Sequence, residues 1–234
     1  MNYLGIDTST GTASVAVGDR RQVRESVIGN DYRQSAMIVG AIQELLQDGG
    51  MVVSDTDGVA CVAGPGSFTG LRVGMCTAKA LSYATGRPMY SVSSLECMAW
   101  QVAKSGYSGN VCVMMDARND QVYMGCYRIG PDTEPCALMG DTAGAIGELL
   151  PQALELCGAD CILAGTGIYA HMDMVQQLQG VTVVSDIHRP AAWAAVAIAE
   201  FMAMEGREVN PVTAAPQYLR QSQAERSKQT GAKS

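Results

Sequence analysis

Residues 59–74, Val59-Ala60-Cys61-Val62-Ala63-Gly64-Pro65-Gly66-Ser67-Phe68-Thr69-Gly70-Leu71-Arg72-Val73-Gly74, decide how the chain is read. The first five are an unbroken apolar run containing β-branched residues, the pattern of a strand covered on both faces. From Leu71 to Tyr83 there is no proline and most residues are small or apolar, which predicts a buried helix. Gly64-Pro65-Gly66 is then a strand-to-helix turn, with Ser67 or Thr69 placed to cap the helix. A helix N-terminus behind a glycine-rich turn can hold an anion. The same glycines can serve only to let strand and helix pack closely. The run lacks the Gly-Lys-Ser/Thr ending of a Walker loop and the G-x-G-x-x-G spacing of a dinucleotide fingerprint.

Upstream, Tyr3–Ile6 and Ala13–Val17 flank the turn formers Asp7-Thr8-Ser9-Thr10-Gly11-Thr12, and Val23–Ile28 adds a third strand to this hairpin. From Ser35 to Leu46, Met37, Ile38, Ala41, Ile42, Leu45 and Leu46 recur at helical spacing, and Asp48-Gly49-Gly50 stops the helix. Downstream come a short strand at Met89–Val92 and a helix opened by Ser93-Ser94-Leu95-Glu96, running to about Lys104. Turn formers at Ser105–Asn110 mark a boundary, after which Val111–Met115 and Gln121–Arg128 form a second hairpin around Asp116. A helix near Thr142–Leu150, a strand Cys161–Ala164, the turn Gly165-Thr166-Gly167 and a helix through Val175 follow. The Ala-rich helix 191–206 is expected to return to the first lobe. The expected division is an N-terminal lobe 1–105, a smaller lobe 106–189 and a polar tail 207–234 whose last dozen residues are expected to lack order.

A chain of 234 residues with 47% apolar and 17% charged residues fits a soluble globular protein. No apolar stretch reaches the length of a membrane span, and no basic segment precedes an apolar one at the N-terminus, so a cytoplasmic location is expected. Cys61, Cys76, Cys97, Cys112, Cys126, Cys136, Cys157 and Cys161 are scattered through apolar segments without a C-x-x-C pair, which predicts reduced thiols, most of them in the core, and no metal site. The net charge of −7 argues against a chain that grips RNA alone, the basic cluster being Arg220, Arg226, Lys228 and Lys233 in the tail. Ser67 has no evident base, because the two histidines both lie in the second half. On the Leu71 helix, Gly70, Gly74 and Ala78 form a small-residue stripe beside Leu71, Met75 and Ser82. A helix apolar nearly all round must be covered on two sides. The sheet covers one; the Ser35–Leu46 helix, alone or with another protein, covers the other.

Gly64-Pro65-Gly66-Ser67-Phe68-Thr69-Gly70-Leu71-Arg72-Val73-Gly74, followed by 77–96, resembles the signature of the bacterial TsaB (YeaZ) family, which partners the tRNA threonylcarbamoyladenosine transferase. Gly5-Ile6-Asp7-Thr8-Ser9, Met115-Asp116-Ala117-Arg118 with Val122-Tyr123, and Pro216-Gln217-Tyr218-Leu219-Arg220 agree in the same order. The resemblance implies an α/β actin-like/Hsp70-like ATPase (ribonuclease H-like) fold of two lobes, each with a mixed sheet and helices. It implies a nucleotide cleft, here vestigial, at Asp7, Thr8, Ser9, Asp116, Gly165 and Gly167, without a cofactor of the chain's own. It also implies a non-catalytic subunit that supports N6-threonylcarbamoylation of adenosine 37 in tRNAs reading codons that begin with A. The implied partners are a TsaD-like catalytic transferase, a TsaE-like ATPase, a second copy of the chain when alone, and tRNA only through the complex. Pairing would run through the two N-terminal-lobe helices, at Arg33, Met37, Ala41, Gly70, Leu71, Gly74, Met75 and Ala78. One departure is plain: Gln34-Ser35-Ala36 stands where many relatives have His-Ser-Glu, so roles of that His or Glu do not carry over. The H-x-x-x-H metal pair of the related catalytic family is also missing from the sequence, which leaves a stand-alone kinase or phosphatase of the same fold as the alternative and a peptidase as a remote one.

Overall fold

Two five-stranded mixed sheets share one topology. The structure, a computed structural model, describes residues 1–29 and 34–220. The first sheet holds β1 (Tyr3–Asp7), β2 (Ala13–Gly18), β3 (Val23–Ile28), β4 (Gly58–Gly64) and β5 (Met89–Ser93) in the order β3-β2-β1-β4-β5. The second holds β6 (Gly109–Asp116), β7 (Gln121–Ile129), β8 (Cys136–Ala145), β9 (Cys161–Ala164) and β10 (Val181–Val184) in the order β10-β9-β6-β7-β8. Read from the other edge, this is the first order again: an antiparallel three-strand meander followed by two parallel strands. The two-lobe actin-like class expected from the motifs is what the chain adopts.

The helices are α1 (Gln34–Gln47), α2 (Phe68–Thr85), α3 (Ser94–Lys104), α4 (Ile146–Cys157), α5 (Thr166–Ala170), α6 (Met172–Val175) and α7 (Ala192–Met204). Strand alternation sorts the core. Leu4, Ile6, Val15, Val17, Val59 and Cys61 face α1 and α2, whereas Tyr3, Ala16, Ala60, Val62 and Tyr90 face α3 and α7. In the second lobe Val111, Val113, Ile162 and Ala164 meet α3, and Cys112, Met114, Cys161 and Leu163 meet α4, α5 and α6. Gly5 lets α7 lie directly on β1, since a Cβ there would strike the Ala192 carbonyl. Helix α3 is apolar on two sides because it serves both cores: Cys97 and Trp100 pack in the first, Leu95, Met98 and Val102 in the second.

Three expectations change. Thr142–Ala145 is not helical but ends β8, and neither β8 nor β10 was foreseen. Both are outer strands: β8 is half-exposed and built partly of Ala, Gly, Leu and Met, without strong alternation or β-branching, and β10, though β-branched throughout, is only four residues long. Residues 207–220, expected as the start of a polar tail, form an ordered strap whose Val209 amide bonds the Met89 carbonyl and whose Gln217 amide bonds that of Ala63. The last dozen residues lie outside the described part.

Candidate partner surface and interlobe cleft

Ser67 caps α2 by accepting from the Gly70 amide at 3.3 Å, while its own amide donates to the Ser9 carbonyl at 2.7 Å. The glycines around it are packing residues. A Cβ on Gly66 would strike the Ser9 carbonyl, one on Gly70 the Thr8 carbonyl, and one on Gly64, at φ +125°, the strap carbonyl of Gln217. The turn therefore clasps the β1–β2 turn rather than standing open on this side.

Helix α2 corrects the expected partner surface. Leu71, Gly74, Met75 and Ala78 are buried, with Met75 and Ala78 against Leu4, Ile6, Val59 and Cys61 of the sheet. Gly74 lies where a Cβ would strike Thr8 Oγ1, and Thr8 itself donates to the Gly70 carbonyl at 2.7 Å. The sheet has taken the stripe with the largest apolar area and the closest approach, as burial energy dictates. What remains outward is Thr69, Arg72, Cys76, Ala80, Tyr83 and Ala84, with Val73 and Thr77 half-buried; Tyr83 is 78% exposed. On α1, Ile38, Ile42, Leu45 and Leu46 turn inward, Ala41 is half-buried, and Met37 and Val39 are each 49% exposed. Among the described residues nothing lies within 4 Å of where a Gly40 Cβ would stand. Of the expected contact residues only Met37 is well exposed, with Ala41 and Gly70 in part; Arg33 falls outside the described residues.

One flank of α2 is occupied by the strap. Lys79 Nζ donates to the carbonyls of Val212 at 3.0 Å and Ala214 at 2.9 Å. Tyr218 stacks on Phe68 with centroids 4.5 Å apart, and Arg72 sits over the other ring at 4.0 Å while donating to the Tyr218 hydroxyl at 3.1 Å. Arg220 then reaches across to the Ala117 carbonyl in the β6–β7 turn of the second lobe. The residues 216–220 are thus a structural tie, a role that their sequence does not reveal.

Between the lobes lies a cavity of about 770 Å³ lined by Ser9, Ser67, Asp116, Arg118, Thr166, Arg189 and Arg220 among others. The two hairpin aspartates are not equivalent. Asp7 is wholly buried; its Oδ1 accepts from the Ser9 amide at 2.9 Å and hydroxyl at 2.6 Å, and its Oδ2 has no partner among the described residues. Burial pushes its pKa up to about 6, against the pull of those hydrogen bonds and of the Arg189 guanidinium. Asp116 is exposed at the cavity wall and accepts from the Arg118 amide at 2.8 Å. Asp7 and Thr8 do not line the cavity, and Ser9 does. Gly165 and Gly167 do not line it either: their missing Cβ atoms leave room for Met114 of β6, and Thr166 between them faces the cavity. The basic residue that local sequence did not supply near Asp7 is Arg189, brought from the segment before α7.

The family model for tRNA N6-adenosine threonylcarbamoyltransferase (TsaD) matches residues 32–231. The Escherichia coli tRNA threonylcarbamoyladenosine biosynthesis protein TsaB is 29% identical over 96% of this chain and 96% of its own length. The Bacillus subtilis protein of the same name is 34% identical over 55% of this chain and 56% of its own. A crystal structure from Pseudomonas aeruginosa, of a protein described as similar to peptidase YeaZ, superposes with a TM-score of 0.81 at 28% identity, covering 94% of this chain and 99% of that one. Motifs, duplicated topology and these likenesses agree: the chain belongs to the tRNA N6-adenosine threonylcarbamoyltransferase family, within its TsaB (YeaZ) members.

Proposed function

We propose that this chain is a non-catalytic subunit in the synthesis of N6-threonylcarbamoyladenosine in tRNA, binding the catalytic threonylcarbamoyl transferase through the outward faces of α1 and α2. The observation that carries the reading is the uncovered pair of faces: Met37, Val39 and Gly40 on α1, and Cys76, Ala80 and Tyr83 on α2, apolar or small and not covered by the strap. Exposed apolar and small side chains on neighbouring helices are what a helical partner buries. The same faces serve a second copy of the chain when the transferase is absent. A TsaE-like ATPase joins as a third subunit, and tRNA is met only through the assembly, in keeping with a net charge of −7. ATP is used by the partner subunits. This chain is proposed to have no cofactor of its own, since Asp7 is shut beneath its hairpin and Met114 closes the glycine side of the cleft.

Ala80→Arg and Met37→Glu are the tests. Each places a charge on an exposed position, so circular dichroism and melting temperature should be unchanged. Capture of the transferase in a pull-down should fall at least tenfold, as for a central contact residue, and self-association in the ultracentrifuge should fall with it. Full capture by both folded variants would overturn the reading. Met75→Glu, by contrast, should unfold the chain, since Met75 is 2% exposed and an unpaired buried charge costs several kcal/mol.

A further inference from the structure

The chain carries a net charge of −7, yet the interlobe cleft gathers cations. Arg118, Arg189 and Arg220 line it against a single carboxylate, that of Asp116, with His188 beside them. They come from three places: the β6–β7 turn, the segment before α7 and the end of the strap. Among the described residues the ion pairs are made by Arg20, Lys104 and Arg207, none of which lines the cleft. Arg189 donates to the Pro190 carbonyl at 3.0 Å and to the Ser14 hydroxyl at 3.4 Å, and Arg220 donates to the Ala117 carbonyl. Those neutral partners hold the guanidiniums without cancelling their charge. The Arg118 side chain is exposed and has no hydrogen-bond, ion-pair or ring partner among the described residues. Three cations around one cavity, none with a counter-ion, make a local positive field on an acidic molecule.

The rest of the lining selects among anions. Phe68, Tyr123 and Tyr218 set aromatic rings among the cations, Tyr218 being 41% exposed, and the hydroxyls of Ser9, Ser67 and Thr166 add neutral donors. Cations interleaved with rings and hydroxyls suit a nucleic-acid strand, which offers phosphate oxygens to the first and third and base faces to the second. The carboxylates of an acidic peptide would leave the rings unused. A cavity of about 770 Å³ has room for unpaired nucleotides and not for a duplex. The cations also continue along the sequence, where Arg226, Lys228 and Lys233 follow Arg220 against one acid, Glu225. A strand longer than the cleft can draw on those charges; a free nucleotide cannot.

We propose that this cleft is a contact for an unpaired stretch of RNA, with Arg118, Arg189 and Arg220 on phosphate oxygens and Tyr218 against a base. Naming that RNA as tRNA rests on the role proposed above; the contact itself does not. The overall charge keeps the grip of the chain alone weak, so the cleft adds to a hold that a more basic partner supplies.

Anisotropy of a labelled tRNA transcript, followed from about 20 to about 200 mM salt with the chain alone and with the chain joined to the transferase, tests this. Arg118→Gln and Arg220→Gln should each weaken binding about three- to tenfold and lower the slope of log K against log salt by about one, whereas Arg118→Lys should keep the slope. Arg128→Gln removes the same charge from an exposed site at the other end of β7 and should change neither. Transferase capture by Arg118→Gln should be full, because Arg118 is on neither α1 nor α2. A parent chain that captures no transferase refutes the role proposed above, and the salt slope of the chain alone still reads the cleft. Unchanged affinity and slope when Arg118→Gln and Arg220→Gln are combined, an equal loss in Arg128→Gln, or no tRNA binding by either form at about 20 mM salt would overturn the contact. Displacement of the label by Mg-ATP or by poly-glutamate as readily as by unlabelled tRNA would give the cleft to a free nucleotide or to an acidic peptide instead.

Discussion

Glu96 shows how one position can be read locally and still hide its chemistry. Its place three residues after Ser93 marks a capping box, and the N-cap half of it forms: Ser93 Oγ accepts from the Leu95 amide at 3.0 Å and the Glu96 amide at 3.2 Å. What local spacing cannot show is the company. Burial first, then Glu134 and Asp141, push the Glu96 pKa from 4.5 up to about 8, with Arg207 pulling back. Asp141, between the Ser93 and Tyr127 hydroxyls at 2.5 Å each, is itself raised by burial. Native Glu96 therefore binds a proton more tightly than unfolded Glu96, so this group makes stability fall as pH rises from about 4.5 to about 8 and adds no further loss above that. Asp7, raised from 3.8 to about 6, acts with the same sign over its own lower window. Glu96→Gln should match the parent near pH 4.5 and be the more stable protein at pH 8, by a margin read from urea midpoints. Parallel pH profiles for the two proteins would refute this account.

At the scale of elements, α1, α2, α3, α7 and the inner strands were legible because each carries a strong period or an unbroken apolar run bounded by turn formers. The two faces of α2 were not. Small and apolar residues surround the helix, so its period does not say which stripe meets the sheet; the contact of Gly74 with Thr8 decides that, and it is a tertiary fact. The strap escaped for the opposite reason, since Gln217, Tyr218 and Arg220 are polar and make their contacts at separations of 100 residues or more. Its anchor is testable. Tyr218→Ala removes the stack on Phe68 and the hydroxyl that accepts from Arg72, interactions worth about 1–2 kcal/mol together. Hydrogen exchange at the Gln217 amide should accelerate about tenfold while the Met75 amide in α2 is unaffected. Equal acceleration at both would mean that the strap does not open on its own.

The duplication of the whole molecule was visible as two hairpins, each with an aspartate in its turn, but the cleft between them was not readable as a site. Its aspartates took different fates, one buried and one exposed, and its arginines come from positions 118, 189 and 220. Only the folded chain brings those together. The lobes are also less separate than a boundary at 105 and 106 suggests, because α3 contributes side chains to both cores and α7 returns to cover the first sheet. Trp100 is the hinge of that arrangement. It is fully buried, edge-on to Phe201 at 5.6 Å, flanked by Lys104 over its ring at 5.6 Å, and on the helix whose next turn feeds the second core. Neither lobe can lose α3 without exposing its own apolar face, so unfolding should be a single cooperative transition by calorimetry, with calorimetric and van't Hoff enthalpies equal. Trp100→Ala should remove about 3–5 kcal/mol and lower that one transition as a unit. Trp100→Phe, which also removes an indole N–H that has no partner among the described residues, should cost much less. Two resolved transitions, with only the first lobe's displaced by Trp100→Ala, would show that the lobes fold independently and that α3 belongs to one of them.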